Sequence, residues 1–411
     1  MFLYICNNST YRIHKFIKMR KTFLTTVVCL LSLSLFAQTT EKQQGFEFTT
    51  VKENPITPVK NQNRSSTCWS YSGLGLIESE LIRLGKGEHN LSEMFVVHHT
   101  MRERAELYVR LHGDGSFSPG GSFYDVIHTM KRHGLVPKSA MEGIKYGEEL
   151  PVHSELDAVA EGYVNAIAKG RLKKLTPVWK DGLTAIYDTY LGECPEKFTY
   201  NGKEYTPKSF VEDLGLNADD YISLTSYTHH PFYDTFAIEI QDNWRGGLSY
   251  NLPIDEFMEV MDNAVNNGFT IAWGSDVSES GFTRNGIAVM PDVDRSDLTG
   301  SDMARWTGLT AADRTKEAIS QPGPELEITQ EMRQEAYDNW ETTDDHGMLI
   351  YGIAKDQTGK EYFMVKNSWG TSSQYEGIWY ASKAFVKYKT MNIVLHKNAL
   401  PKSIAKKLGL K

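Results

Sequence analysis

The sequence predicts an α+β fold of two lobes, one helical and one β-rich, with a cleft between them and a large, mainly helical insertion. Two observations carry the prediction. In the first third, apolar residues recur at three- and four-residue spacing: Leu74, Ile77, Leu81 and Leu84, then Phe123, Val126, Ile127 and Met130. After residue 340 the pattern changes to short apolar runs of strand length, 347–354, 361–366 and 377–381. With 411 residues and 40% hydrophobic content, the chain makes one large or two ordinary domains with ample core.

Taken in order, the chain opens with an upstream extension and a segment, 19–38, that reads as an export signal. Arg20 and Lys21 form a short basic region, Phe23 to Phe36 an apolar one, and Ala37 precedes a cleavage point before Gln38. Met19 is the expected start of this signal, and residues 38–411 form the main domain. The apolar run is too short for an ordinary spanning helix, and no later stretch reaches the roughly eighteen apolar residues that one needs. A soluble exported protein, periplasmic or secreted, is expected. The net charge of −8 argues against nucleic acid as the main partner. Removal of the signal leaves Cys68 and Cys194 from the four cysteines.

Gln62-Asn63-Arg64-Ser65-Ser66-Thr67-Cys68-Trp69-Ser70 runs into a helix over about 69–85. Cys68 then lies in the first turn, where unpaired N–H groups and the helix dipole favour an anion and lower a thiol's pKa. Gln62 can aim its amide at an oxyanion formed there. Packing alone is the competing account of a lone buried cysteine. A second helix spans Leu91 to Arg110 with Ser92 as its cap, and the adjacent His98 and His99 read as packing residues. Gly120-Gly121 precedes the third helix. Residues 142–245 form the insertion, with helical patches at 155–169, 178–192 and 207–214. His229 and His230 lack acidic or cysteine partners at chelate spacing in the sequence, so they read as structural and no metal is expected. A helix at 254–267, a strand at 269–274, a polar excursion over 292–325 and a helix at 329–340 lead to His346. Asn367 closes a later strand-like run, and a short basic helix is expected in the tail at 399–411. A nucleophilic cysteine needs an imidazole and a group that fixes the imidazole's tautomer. All these residue types occur here, in the order Gln62, Cys68, His346, Asn367.

The Gln-x5-Cys-Trp start, Asp345-His346-Gly347 and Asn367-Ser368-Trp369-Gly370 resemble the papain-like cysteine peptidases. The separation of 278 residues between Cys68 and His346 exceeds the roughly 130–150 of papain-type chains and is similar to the bleomycin hydrolase and aminopeptidase C branch. Leu91-Ser92-Glu93-Met94, Gly120-Gly121-Ser122-Phe123-Tyr124, Gly134-Leu135-Val136-Pro137 and Pro253-Ile254-Asp255-Glu256 extend that resemblance. Ser66 departs from it where papain has glycine, as does Gly347 where that branch commonly has alanine. The resemblance implies a papain-like two-lobed fold acting on peptides with no cofactor. Cys68 would be the nucleophile, His346 the acid and base, Asn367 its orienter, Gln62 the oxyanion donor and Trp369 a cover over the His–Asn bond. Gly120 and Gly121 would line the cleft and pair with substrate backbone. It further implies an aminopeptidase whose own C-terminus, here Lys411, lies along the cleft. An endopeptidase with an open cleft and a catalytically silent peptide-binding protein are the alternatives. A homo-oligomer is left open.

Overall fold

The computed structural model describes residues 45–293, 315–316 and 318–410. The export segment, most of the 292–325 excursion and Lys411 lie outside the described residues. The chain divides into two units, Met1–Phe46 and Glu47–Lys411, and the second contains every strand and helix of the candidate site.

A ten-stranded sheet organises this second unit. Its strands are β1 (Phe48–Glu53), β4 (Tyr221–Thr225), β5 (Thr235–Ala237), β6 (Leu248–Asn251), β7 (Ile271–Ser275), β8 (Ile287–Ala288), β9 (His346–Asp356), β10 (Glu361–Lys366), β11 (Ile378–Ser382) and β12 (Thr390–His396). The order across the sheet is β5-β6-β4-β12-β7-β9-β10-β11-β8, with β1 also paired to β9. Strand β9 is central: β7 pairs with its first half, β1 with its second, and β10 runs along the other edge. A small hairpin, β2 (Phe198–Tyr200) and β3 (Lys203–Tyr205), stands apart from this sheet.

The helical lobe packs on one face of the sheet. It contains α1 (Cys68–Arg83), α2 (Glu93–Arg110), α3 (Phe123–Arg132), α4 (Ser154–Ala168), α5 (Val178–Leu191) and α6 (Pro207–Leu214). Their apolar faces share one core with Ala272, Leu349 and Val394 of the sheet. Helix α1 is the centre of this lobe, with Leu74, Ile77 and Leu81 all inaccessible to solvent. Ser92 caps α2 as expected, its hydroxyl accepting from the Phe95 N–H at 3.2 Å. The opposite face of the sheet carries α7 (Ile254–Asn266), α9 (Lys383–Lys389) and α10 (Lys402–Lys407) over a second core that includes Met348, Ile350, Trp273 and Phe363. Between α7 and α9 in the chain comes α8 (Gln330–Asp338).

The insertion forms the helices α4, α5 and α6 that the periodicity indicates, with the β2–β3 hairpin between α5 and α6, and then turns to further strands. β4, β5 and β6 extend the main sheet through β12. The tail forms the expected short helix, α10, but it is a core element. Ile404 and Leu408 are buried, and Lys407 Nζ pairs with Glu256 at 2.7 Å. Through Leu410 the tail is thus committed to the sheet face opposite α1.

Candidate active site

Three elements converge on the site. Helix α1 presents Cys68 at its first position, with no acidic residue in the first turn to neutralise the dipole. Strand β9 begins at His346, paired with Ser275 of β7. Asn367 follows β10 directly and is held by its N–H to the Gly377 carbonyl at 3.0 Å. Gly347 lets strand and helix meet: a side-chain carbon there would lie 2.8 Å from Ser72 Oγ and 2.9 Å from the Phe123 ring. Without that carbon, the Gly347 N–H reaches the Cys68 sulfur. This close approach favours glycine at position 347.

His346 Nε2 donates to Asn367 Oδ1 at 2.8 Å, and the same oxygen accepts from the Ser368 N–H at 2.7 Å. The amide oxygen is therefore oriented by the backbone, and it fixes the tautomer with the proton on Nε2 and the lone pair on Nδ1. Trp369 stacks on the imidazole, with centroids 4.6 Å apart. His346 and Asn367 are both buried, while Cys68 is half-buried. Burial holds the His346 imidazole down to about 4, against the raising effect of the Asn367 bond. Burial also pushes the Cys68 thiol up to about 12, with the Asp344 and Asp242 carboxylates adding to the rise. Burial and the helix terminus therefore act on the thiol in opposite directions. Desolvation of the anion outweighs the N–H groups of Gly347 and Trp69.

Gln62 is tied to the Asn-Ser-Trp-Gly turn twice. Its N–H donates to the Ser368 carbonyl at 2.8 Å, and the Ser368 hydroxyl donates to Gln62 Oε1 at 2.6 Å. With the carbonyl end engaged, the amide nitrogen is the end left to donate. The loop from Gln62 to Cys68 turns through Asn63 and Ser66, both at positive φ, 46° and 55°. Ser66 therefore occupies a backbone conformation that favours glycine.

Behind the site lies a buried charge network that sequence reasoning missed. Lys60 Nζ bridges Glu78 at 2.7 Å and Glu93 at 2.6 Å, and Glu78 also accepts from the Thr57 hydroxyl at 2.6 Å. Lys366 Nζ donates to the same Thr57 hydroxyl at 2.9 Å. These lysines sit two residues before Gln62 and one before Asn367, so the network anchors both sides of the site to α1 and α2.

The Gly120-Gly121 pair lies against Trp69, whose Nε1 donates to the Pro119 carbonyl at 3.2 Å. A side-chain carbon at Gly121 would be 2.8 Å from that indole, and one at Gly120 would be 2.2 Å from Asp242 Oδ2. The space above Gly120 is thus filled by a carboxylate from the end of the insertion. Asp242 and Asp344 are two further site residues absent from the sequence reading. Asp344 had a signal, since it stands two residues before His346; Asp242 had none. Burial and the neighbouring Asp242 and Asp345 carboxylates raise Asp344 to about 7.

Other polar clusters form elsewhere in the fold, and one of them, His229, His230 and Glu239, brings three possible metal ligands within 4.8 Å of one another. His98 Nε2 meets Asp188 Oδ1 at 2.8 Å, and His99 stacks on His133 at 3.9 Å. His229 and His230 do find an acidic partner through the fold: their Nε2 atoms contact the two Glu239 oxygens at 3.1 and 3.0 Å. Cys194 and Cys68 are both free thiols.

The chain is similar to known proteins over most of its length. The sequence profile of the Peptidase C1-like family matches residues 109–321 and 321–410. Aminopeptidase G of Lactobacillus delbrueckii subsp. lactis is 23% identical over 396 residues, covering 85% of this chain and 83% of its own length. Aminopeptidase C of Streptococcus thermophilus is 24% identical over 385 residues, covering 83% of this chain and 81% of its own. Among solved structures, PepW from Lactobacillus rhamnosis HN001 superposes with a TM-score of 0.65 at 21% identity, over 88% of this chain and 84% of that one.

Proposed function

Since the chain belongs to the Peptidase C1-like family of cysteine peptidases, we propose that it removes N-terminal residues from peptides through a thioester on Cys68. The observation that carries the chemistry is the Nε2-to-Asn367 bond, which leaves His346 Nδ1 as the base for a thiol at the start of α1. The exopeptidase half of the proposal draws on the relatives, which are named aminopeptidases.

In this reading His346 Nδ1 accepts the Cys68 proton as sulfur attacks the peptide carbonyl. The Cys68 N–H and the Gln62 amide donate to the oxyanion. His346 then protonates the leaving amine, and water attacks the thioester with the imidazole again as base. Trp369 keeps solvent from the His–Asn bond, which a low local dielectric strengthens. Gly121 lies beside Trp69, while Gly120 is covered by Asp242 and its carbonyl accepts from Arg104.

A peptide epoxide that alkylates thiols tests the assignment. Labelling of Cys68 with complete loss of hydrolysis, both abolished by Cys68→Ala, is the expected result. Labelling confined to Cys194, or an active Cys68→Ala enzyme, would overturn it. The exopeptidase half predicts turnover of an unblocked dipeptide amide and none of its N-acetyl form. Export belongs to the same proposal, on the strength of the basic-then-apolar segment at 19–38. N-terminal sequencing of the protein from producing cells should begin at Gln38, and an intact cytoplasmic chain starting at Met19 would contradict it.

A further inference from the structure

His229 and His230 stand in the turn between β4 and β5, and Glu239 follows β5. Sequence spacing hid their meeting, since Glu239 is ten and nine residues further on, across a strand. The three ligand atoms, one from each residue, lie within 4.8 Å of one another. Around a four-coordinate zinc, bonds of about 2.0–2.1 Å set neighbouring ligand atoms about 3.3 Å apart. The nitrogen-to-oxygen separations of 3.1 and 3.0 Å already lie near that spacing, and the widest pair would close by at most about 1.5 Å.

The cluster is braced from behind. Asn251 is fully buried and holds the turn: its Nδ2 donates to the Tyr227 and His230 carbonyls at 2.7 and 2.9 Å. The His230 ring stacks on Phe236 and the His229 ring on Tyr337, with centroids 4.1 and 5.5 Å apart. The Tyr337 hydroxyl donates to the Glu239 carbonyl at 3.0 Å. Gln334 of α8 is held at both amide ends, by the Thr228 N–H at 2.6 Å and by Asp338 Oδ1 at 2.9 Å. Both ends face His229 Nδ1, Oε1 at 3.3 Å and Nε2 at 3.1 Å. When an ion takes His229 Nε2, Gln334 Oε1 therefore receives the Nδ1 proton, the outer bond that metal-binding histidines make.

We propose that His229, His230 and Glu239 bind one divalent transition-metal ion of the zinc class, through the two Nε2 atoms and the carboxylate, with water at the fourth position. A second cluster in the fold shows what sets this one apart. His128 and His133 share Glu103 in the same manner, at 3.3 and 2.9 Å. There Arg245 and Arg132 lie on the same carboxylate at 2.7 and 3.3 Å and neutralise it. Among the described residues no lysine or arginine pairs with Glu239, whose oxygens meet the two imidazoles and the Tyr337 hydroxyl. Two imidazoles and a carboxylate suit zinc and its neighbours, whereas magnesium and calcium favour all-oxygen sites. The histidine side chains are 30% and 36% exposed and that of Glu239 56%, so an ion enters directly from solvent. Once bound, it ties the turn after β4 to the end of β5 and, through Gln334 and Tyr337, both to α8.

The test uses the untagged chain, stripped with chelator and with its thiols blocked by iodoacetamide so that Cys68 and Cys194 do not compete for metal. Zinc chloride should bind at one ion per chain in calorimetry and raise Tm, and magnesium chloride should do neither. Cobalt chloride should produce the intense visible bands of a four-coordinate ion. His230→Ala and Glu239→Gln should each weaken zinc binding by at least about tenfold and remove those bands, while Tm in chelator changes little. Gln334→Ala, which frees the His229 ring, should weaken binding about 10–100-fold. Should one variant fail to fold by circular dichroism, the other variant and the wild-type spectrum read the same outcome. A wild type whose Tm and calorimetry ignore zinc overturns the proposal and leaves a histidine–glutamate ion pair. Undiminished zinc binding in folded His230→Ala and Glu239→Gln overturns it as well, by placing the ion elsewhere.

Discussion

The two ring nitrogens of His346 have different partners, and substitutions separate their contributions. His346→Ala removes base and acid together, and kcat should fall about 10²–10⁴-fold. Asn367→Ala leaves both functions but frees the ring, so the loss measured under the same conditions should be smaller; an equal loss would contradict an orienting role. Asp344 yields a pH prediction. Its ordinary value is 3.8 and the fold holds it up to about 7. Between those values the folded state binds the extra proton, so its contribution to stability declines as pH rises from about 4 to about 7 and stays low above that. Asp344→Asn cannot ionise. It should raise Tm at pH 8, by a stability gain on the order of 1–2 kcal/mol after solvent screening, and change little at pH 4. The same shift at both pH values would refute the buried-carboxylate account. At this scale Gln62, Cys68, His346 and Asn367 were legible because acyl transfer to a thiol restricts which residue types can serve. Asp242 was not, because its place over Gly120 depends on how a segment 122 residues away folds back.

Among the elements, the loop before α1 depends most on buried charge. Glu78 holds Thr57, Lys60 and the Leu91 N–H at once. Glu78→Ala leaves Lys60 half-compensated, and breaking such a pair costs about 3–5 kcal/mol, readable in urea unfolding. A change under about 1 kcal/mol would mean that solvent replaces the carboxylate. Activity should fall as well, since Gln62 is carried on the loop that Glu78 anchors. The helices were readable along the chain: the expected 178–192 and 207–214 became Val178–Leu191 and Pro207–Leu214. β4, β5, β6 and β12 escaped because each is short and gains its stability from partners far away in sequence. Tyr221–Thr225, for example, pairs with Ile393 to His396. A run of that length carries no periodicity that separates strand from helix.

For the molecule as a whole, the tail prediction follows from where α10 sits. A chain ending at Leu400 loses Ile404 and Leu408 from the second core. Each is worth about 1.5–3 kcal/mol of apolar burial, so the truncated enzyme should melt earlier. Its preference for a free over an acetylated N-terminus should be unchanged, because α10 packs on the sheet face opposite α1; a newly cleavable acetylated substrate would show the tail to be the gate. The position of β12 has one more consequence. Residues 390–396 lie in the middle of the sheet, between β7 and β4, and they leave the ribosome after the other described strands. Until they do, the strands of the insertion have nothing to join them to β7, and the seat of His346 on β9 lacks its outer neighbours. A chain emerging N-terminus first carries its thiol for most of synthesis without a finished base beside it. Translation order thereby separates the thiol in time from its finished base.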